Sequence, residues 1–155
     1  MRQGRREASR SLLRAVDANV NRGREGLRVA EDLLRFCLDA PAAYRRLRAL
    51  RHRLDACVRT LGVAPAELVR ARESETDPGR TMAASPARSV EHLLLINLQR
   101  TKEALRVIEE ASRLLAPRQT PRFQRLRFET YDVERAILLR LAAVRHPRPG
   151  RRSRA

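Results

Sequence analysis

The residues with most chemistry to offer occur twice. Asn19, Arg22, Arg24, Glu25, Arg28, Glu31 and Asp32 recur 78 positions later as Asn97, Arg100, Lys102, Glu103, Arg106, Glu109 and Glu110. Guanidiniums present planar, permanently charged forks to phosphate oxygens, while carboxylates accept hydrogen bonds or share a Mg²⁺ ion with a polyphosphate. A duplicated set of both types suits a multi-phosphate ligand, and it also suits RNA. The null explanation is a solvated helix face laced with i,i+4 pairs such as Glu31–Arg35, each contributing about 0.2–0.5 kcal/mol. Such pairs exchange freely over time. Their retention in both copies therefore points to a shared packing or ligand role.

Standard catalytic hardware is missing from the sequence. There is no GxxxxGK[ST] and no GxGxxG, so neither a P-loop nor a dinucleotide fingerprint is present. His52, His92 and His146 are scattered without ligand spacing and read as surface or packing residues. Cys37 and Cys57 fall within helical periodicity, far from any CxxC, which predicts reduced thiols in a cytoplasmic protein. No run approaches the roughly 18 apolar residues of a membrane span, and no signal-like apolar stretch follows Met1.

The elements that must position the duplicated residues are helices. Apolar residues repeat at three and four along four segments, and strand alternation is nowhere convincing. The first segment runs from about Ser11 to Asp39 and stops at Pro41. The second covers Ala42 to Leu61 and ends at Gly62. A Pro65-led turn reaches Arg72, and residues 73–85 read as a loop in which Asp77 and Gly79 sit at a turn that could lid a cleft. Ser85 and Pro86 form an N-cap and N1 pair for a third helix to Leu115. Thr120 and Pro121 open a fourth in the same way. Asn19 and Asn97 are poor mid-helix residues that call for a specific hydrogen-bond partner. Gly26 costs its helix about 1 kcal/mol relative to Ala, which a close approach by a backbone or ligand would explain.

The second helices echo each other too, Tyr44-Arg-Arg-Leu-Arg48 against Phe123-Gln-Arg-Leu-Arg127. The chain thus reads as all-α: two repeated helical hairpins, about 11–62 and 86–144, forming a four-helix bundle-like single domain with pseudo-two-fold symmetry. Equivalent residues of the first and third helices would then face each other or a shared cleft. Of 155 residues 34 are basic and 18 acidic, a net charge of +16, with 43% hydrophobic and 3% aromatic residues. Half of the excess lies in residues 1–10 and 145–155, expected to be disordered basic ends around a domain at 11–144. All basic residues but Lys102 are Arg, a skew that fits nucleotide bias in the coding genome.

The segments DANVNRGREGLRVAEDLLRF (17–36), LRALRHRL (47–54) and INLQRTKEALRVIEE (96–110) resemble the alternative hydroxymethylpyrimidine-phosphate kinase family of thiamine biosynthesis. The likeness spans about Leu12 to Leu139. It departs from that family's pattern at Asp77-Pro78-Gly79, where Asp-Val-Gly is usual, and at Ala111, where an aromatic is common. The resemblance implies a kinase-like domain in which ATP phosphorylates 4-amino-5-hydroxymethyl-2-methylpyrimidine phosphate to the diphosphate. It further implies a free-standing enzyme, with thiamine-phosphate synthase as a possible partner. On that reading Arg22, Arg28, Arg100 and Arg106 clamp phosphates, and Asn19, Asn97, Arg24, Asp77 and Gly79 contact substrate. Glu25, Asp32, Glu103 and Glu110 organise Mg²⁺. Two rivals stand beside it: a basic helical nucleic-acid-binding protein, and an inactive partner subunit of the synthase. Against the first, acids interleave with the arginines and stacking aromatics are scarce.

Overall fold

The computed structural model describes residues 2–83 and 85–145. It is all-α, with five helices: α1 (Arg2–Asp32), α2 (Pro41–Arg59), α3 (Pro65–Ala71), α4 (Val90–Leu115) and α5 (Thr120–Arg145). Helices α1, α2, α5 and α4 pack around a closed ring, each against its two neighbours, and the short α3 lies on α1. The 3.6-residue period explains why. Val20, Leu27 and Leu34 form one buried stripe, Leu94, Leu98, Leu105 and Ile108 another, and α2 and α5 answer with Leu47, Leu50, Leu54, Phe123, Leu126 and Val133. Each fully buried side chain of this size contributes about 1.5–3 kcal/mol.

Several boundaries differ from expectation. α1 begins at Arg2, so residues 2–10, expected to be a disordered arm, are its first turns. Of the expected tail at 145–155, all but Arg145 lies outside the described residues. Beyond Asp32 the chain continues as a π-helical turn, Leu33–Cys37, closed by Leu38 N–H donating to Leu33 O at 3.1 Å. Asp39 then takes a left-handed φ of 42°, which reverses the chain ahead of Pro41, and Pro41 starts α2 rather than merely stopping α1. The Pro65-led turn is a seven-residue helix in which Glu67 reaches back to the Ala64 N–H at 3.0 Å. The expected Ser85 cap is corrected to Ser89, whose Oγ accepts from His92 N–H at 3.1 Å while His92 Nδ1 accepts from Arg88 N–H at 3.0 Å. That reciprocal cap satisfies orphan donors that a Ser–Pro pair four residues earlier would leave unmet.

The crossing of α1 and α4 depends on small residues. A methyl placed on Gly26 would stand 2.5 Å from Thr101 Oγ1 and 2.8 Å from Asn97 O, so only glycine fits. A methyl on Gly23 would meet Ala104 Cβ at 3.8 Å. In the 78-residue alignment Gly23 corresponds to Thr101 and Gly26 to Ala104, so the two contacts are reciprocal. Helix packing accounts for Gly26.

Candidate functional site

That close crossing leaves a cleft of about 450 Å³ beside it, lined by Asn19, Arg22, Glu25 and Gly26 from α1 and by Asn97, Arg100, Glu103, Ala104 and Val107 from α4. Six of the residues singled out in the sequence therefore meet, as two copies of Asn-x-x-Arg-x-x-Glu. On a helix that advances about 100° per residue, positions i, i+3, i+6 and i+7 stay within one broad face. Asn19 and Asn97 are buried, and each amide nitrogen donates to the carbonyl one turn back, Ala15 O and Leu93 O, both at 2.8 Å. Their side-chain carbonyls remain to serve the cleft. The guanidiniums of Arg22 and Arg100 make no hydrogen bond or ion pair among the described residues, whereas Glu103 accepts from Gln99 at 2.8 Å.

The other expected residues lie elsewhere. Arg28 stands about 120° around the helix from Arg22 and about 180° from Asn19, does not line the cleft, and pairs with Asp32 at 3.2 Å. Arg106 pairs with Glu109 at 3.0 Å and with Glu110 at 2.8 Å, and Glu110 also takes Arg113. Arg24 crosses to α2, where its Nε meets Asp55 at 2.6 Å. The four carboxylates expected to share Mg²⁺ are thus not gathered, and no group of three metal-ligating side chains exists among the described residues. Glu25 and Glu103 alone line the cleft, which is too few donors for a metal site made by the protein itself.

Partners that the duplicated pattern does not single out hold the walls: Arg51, Asp55 and Glu134 each pair with one of its charged residues. Glu31, fully buried, accepts from Arg51 Nε at 2.6 Å, which replaces the anticipated Glu31–Arg35 pair. Glu109 accepts from Arg127 Nε at 2.7 Å in the second hairpin. Arg24–Asp55 and Lys102–Glu134 repeat the same relation, the latter at 2.6 Å. The hydrogen bonds that Arg51 and Arg127 donate to Glu31 and Glu109 raise both guanidiniums above their ordinary value, so both are permanent cations. A signal was available: Glu31 lies four residues after Leu27 and three before Leu34, squarely on the buried stripe.

Residues 72–80 form a second wall, as a lid-like loop would. Arg72 grips the buried Asp17 at 2.7 and 2.9 Å, and Arg14 takes the Glu73 carboxylate at 2.9 Å and its backbone oxygen at 3.2 Å. Asp77 Oδ1 accepts from Gly79 N–H at 2.8 Å. A wider groove runs from Ser11 and Arg14 past Asp17, Asn19, Arg22 and Glu25 to Ser74 and Asp77, so it shares three residues with the interhelical cleft. Asp77 thus lines the wider groove, while Gly79 lines an adjoining hollow that shares Arg22.

Comparison with known proteins gives this arrangement a context. Residues 14–136 match the ThiD2 family. Similar curated proteins are named thiamine-phosphate synthase: that of Thermosynechococcus vestitus is 36% identical over 132 residues, covering 83% of this chain and 36% of the relative. That of Prochlorococcus marinus strain SARG is 38% identical over 127 residues (79% and 35%), and that of Nostoc punctiforme is 32% identical over 130 (82% and 35%). The chain spans about a third of the length of these relatives. No solved structure matches. The relatives' name denotes a different transferase, which corrects the expectation of a phosphomethylpyrimidine kinase. Among the described residues no helix is long and apolar enough to cross a membrane.

Proposed function

The chain belongs to the ThiD2 family, and on that premise we propose that it is a partner of thiamine-phosphate synthase whose interhelical cleft binds a phosphorylated hydroxymethylpyrimidine. A role in thiamine biosynthesis agrees with the family and with the names of its relatives. The observation that carries the binding role is the convergence of Arg22, Arg100, Glu25 and Glu103 on one cleft. Two guanidiniums facing two carboxylates match a ligand with both an anionic and a hydrogen-donating end, a phosphate and an aminopyrimidine, better than a bare polyanion. The same balance disfavours nucleic acid, whose backbone offers only negative charge. ATP would enter such a cleft with its own Mg²⁺, because Glu25 and Glu103 can at most complete the coordination of an ion the nucleotide carries.

Calorimetric titration with 4-amino-5-hydroxymethyl-2-methylpyrimidine phosphate tests this directly, with ATP–Mg²⁺ in a parallel arm. Arg22→Ala and Arg100→Ala should each weaken binding of the pyrimidine phosphate about tenfold or more, for a lost charge-assisted contact, while the melting temperature stays nearly unchanged. Absence of binding by a folded wild-type chain would end the reading. The partner role is checked separately: synthase turnover at limiting pyrimidine substrate should rise when the chain is added, and should not rise with Arg22→Ala.

A further inference from the structure

We propose that the outer face of α5 docks a second copy of this chain, as an antiparallel helix pair across a two-fold axis. Such a contact does not depend on what the cleft holds. It leaves the α1–α4 cleft open in both copies, because α1 and α5 occupy opposite corners of the ring. α5 is apolar on two sides. Phe123, Leu126, Val133 and Ile137 face the core, whereas Phe128, Tyr131, Leu138 and Leu139 are exposed, Phe128 and Leu139 by more than half. At about 100° per residue these last four share an arc of roughly 100° turned away from the core, along about 17 Å of helix. The Phe128 and Tyr131 rings stand 6.1 Å apart, so the stripe is continuous at that end. Exposed apolar residues scattered singly need no explanation, but a stripe on one face marks a contact surface.

The charges of α5 identify what covers the stripe. Residues 127–140 carry three arginines and three acids, a neutral stretch in a chain of net charge +16. Four of these six are committed within the chain: Arg127 to Glu109, Glu134 to Lys102, Glu129 to Arg53, and Arg140 to the Asp39 backbone oxygen. Asp132 and Arg135 remain. Both are exposed on the outer side, and neither makes a hydrogen bond or ion pair among the described residues. An antiparallel copy with the two-fold axis between Val133 and Glu134 sets Asp132 opposite Arg135 of the second copy, and Arg135 opposite its Asp132. The same register lays Phe128 against Leu139 and brings Tyr131 beside Leu138. One face therefore complements itself, as a two-fold contact requires. A nucleic acid or an anionic membrane would instead seek the basic surplus that this stretch lacks. A single helix pair of this length falls at or below the roughly 1,200 Å² at the low end of stable interfaces, so the dimer is expected to be reversible.

Sedimentation velocity of the full chain from about 5 to 500 µM should show a monomer–dimer equilibrium with Kd in the micromolar range. Asp132→Arg and Arg135→Asp should each weaken it about tenfold or more, because each sets like charges against one another on both sides of the axis. The two changes combined should restore dimerisation. General repulsion between two basic chains predicts a different pattern, since Arg135→Asp lowers the net charge and would tighten association. Tighter association of Arg135→Asp, or no recovery in the combined variant, refutes the pairing. Phe128→Ser should abolish the dimer while circular dichroism and melting temperature stay near wild type, because the side chain is exposed. A wild-type chain that remains monomeric over this range overturns the proposal. If that monomer binds thiamine-phosphate synthase and Phe128→Ser prevents it, the face belongs to the synthase and not to a second copy.

Discussion

Glu31 on α1 and Arg51 on α2 form a bidentate pair, at 2.6 and 3.2 Å, around a carboxylate that solvent does not reach. Breaking such a pair from one side leaves a charge stranded, which costs about 3–5 kcal/mol. Glu31→Ala is therefore expected to lower unfolding free energy by that order, measured by urea denaturation. Glu109→Ala should do the same through Arg127. A double change, Glu31→Met with Arg51→Met, should recover much of the loss, because no unpaired ion then remains. Equal destabilisation by the single and double changes would show that packing, not charge, holds the hairpin.

The two glycines of the α1–α4 crossing predict opposite outcomes. Gly26→Ala drives its methyl against Thr101 Oγ1 and against the Asn97 backbone oxygen, which cannot swing aside. The helices must separate, and the loss should exceed the gain of about 1 kcal/mol that alanine brings to a helix interior. Gly23→Ala meets only the Leu54 Cδ2 tip, at 3.2 Å, and Ala104 Cβ at 3.8 Å. Its melting temperature should stay level or rise. Thermal denaturation of the two variants decides it, and a Gly26→Ala protein as stable as wild type would refute the close crossing.

Much of this architecture was legible because a duplicated polar pattern on a helical period carries two kinds of information at once. The buried stripes gave the helices, and Asn19, Arg22 and Glu25 fell on a common face with their copies because they are spaced by three. The error at Arg28 and Arg106 came from treating every repeated arginine as equivalent, although nine residues put each on the side of its helix opposite Asn19 or Asn97. Buried partners were harder to read. Arg51 and Arg127 differ by 76 positions, while the helices that carry them align at 79, so one bridge is shifted by about one turn and no fixed offset reveals both. Arg72 has no copy at all, and its role depends on the tertiary contact it makes with Asp17.

The two cysteines should differ in reactivity. Burial pushes the Cys57 thiol up, against the opposing pull of Arg122, Arg125 and Arg53, whereas Cys37 is exposed. The thiolate is the nucleophile, so a raised value means less reactive sulfur at a given pH. At pH 8 a disulfide-exchange reagent should label Cys37 first and Cys57 only slowly, as followed by mass spectrometry. The linkage has the same sign. Cys57 favours the folded state fully while the unfolded thiol is protonated, and that contribution is lost as pH rises through the folded value. A Cys57→Ser variant should accordingly lose less stability than wild type between pH 8 and 10. Preferential labelling of Cys57 would contradict the burial that α2 and α5 give it.

The loop wall can be released without touching the cleft. Arg72 is exposed along much of its length but its fork is fixed on Asp17, and that contact raises its guanidinium above the usual value. Arg72→Ala removes the clasp at the head of the loop and strands the buried Asp17 carboxylate, so the melting temperature should fall. The loop itself should also open more often. A glutamate-specific protease reaches Glu73 and Glu75 only when the segment lifts, and cleavage there should accelerate several-fold if opening is fast relative to cleavage. Affinity for the pyrimidine phosphate should change little, because Arg72 does not line the interhelical cleft. If Arg72→Ala leaves the cleavage rate unchanged, the loop is held by the Arg14–Glu73 contacts and its own 3₁₀ turn and not by the Asp17 clasp.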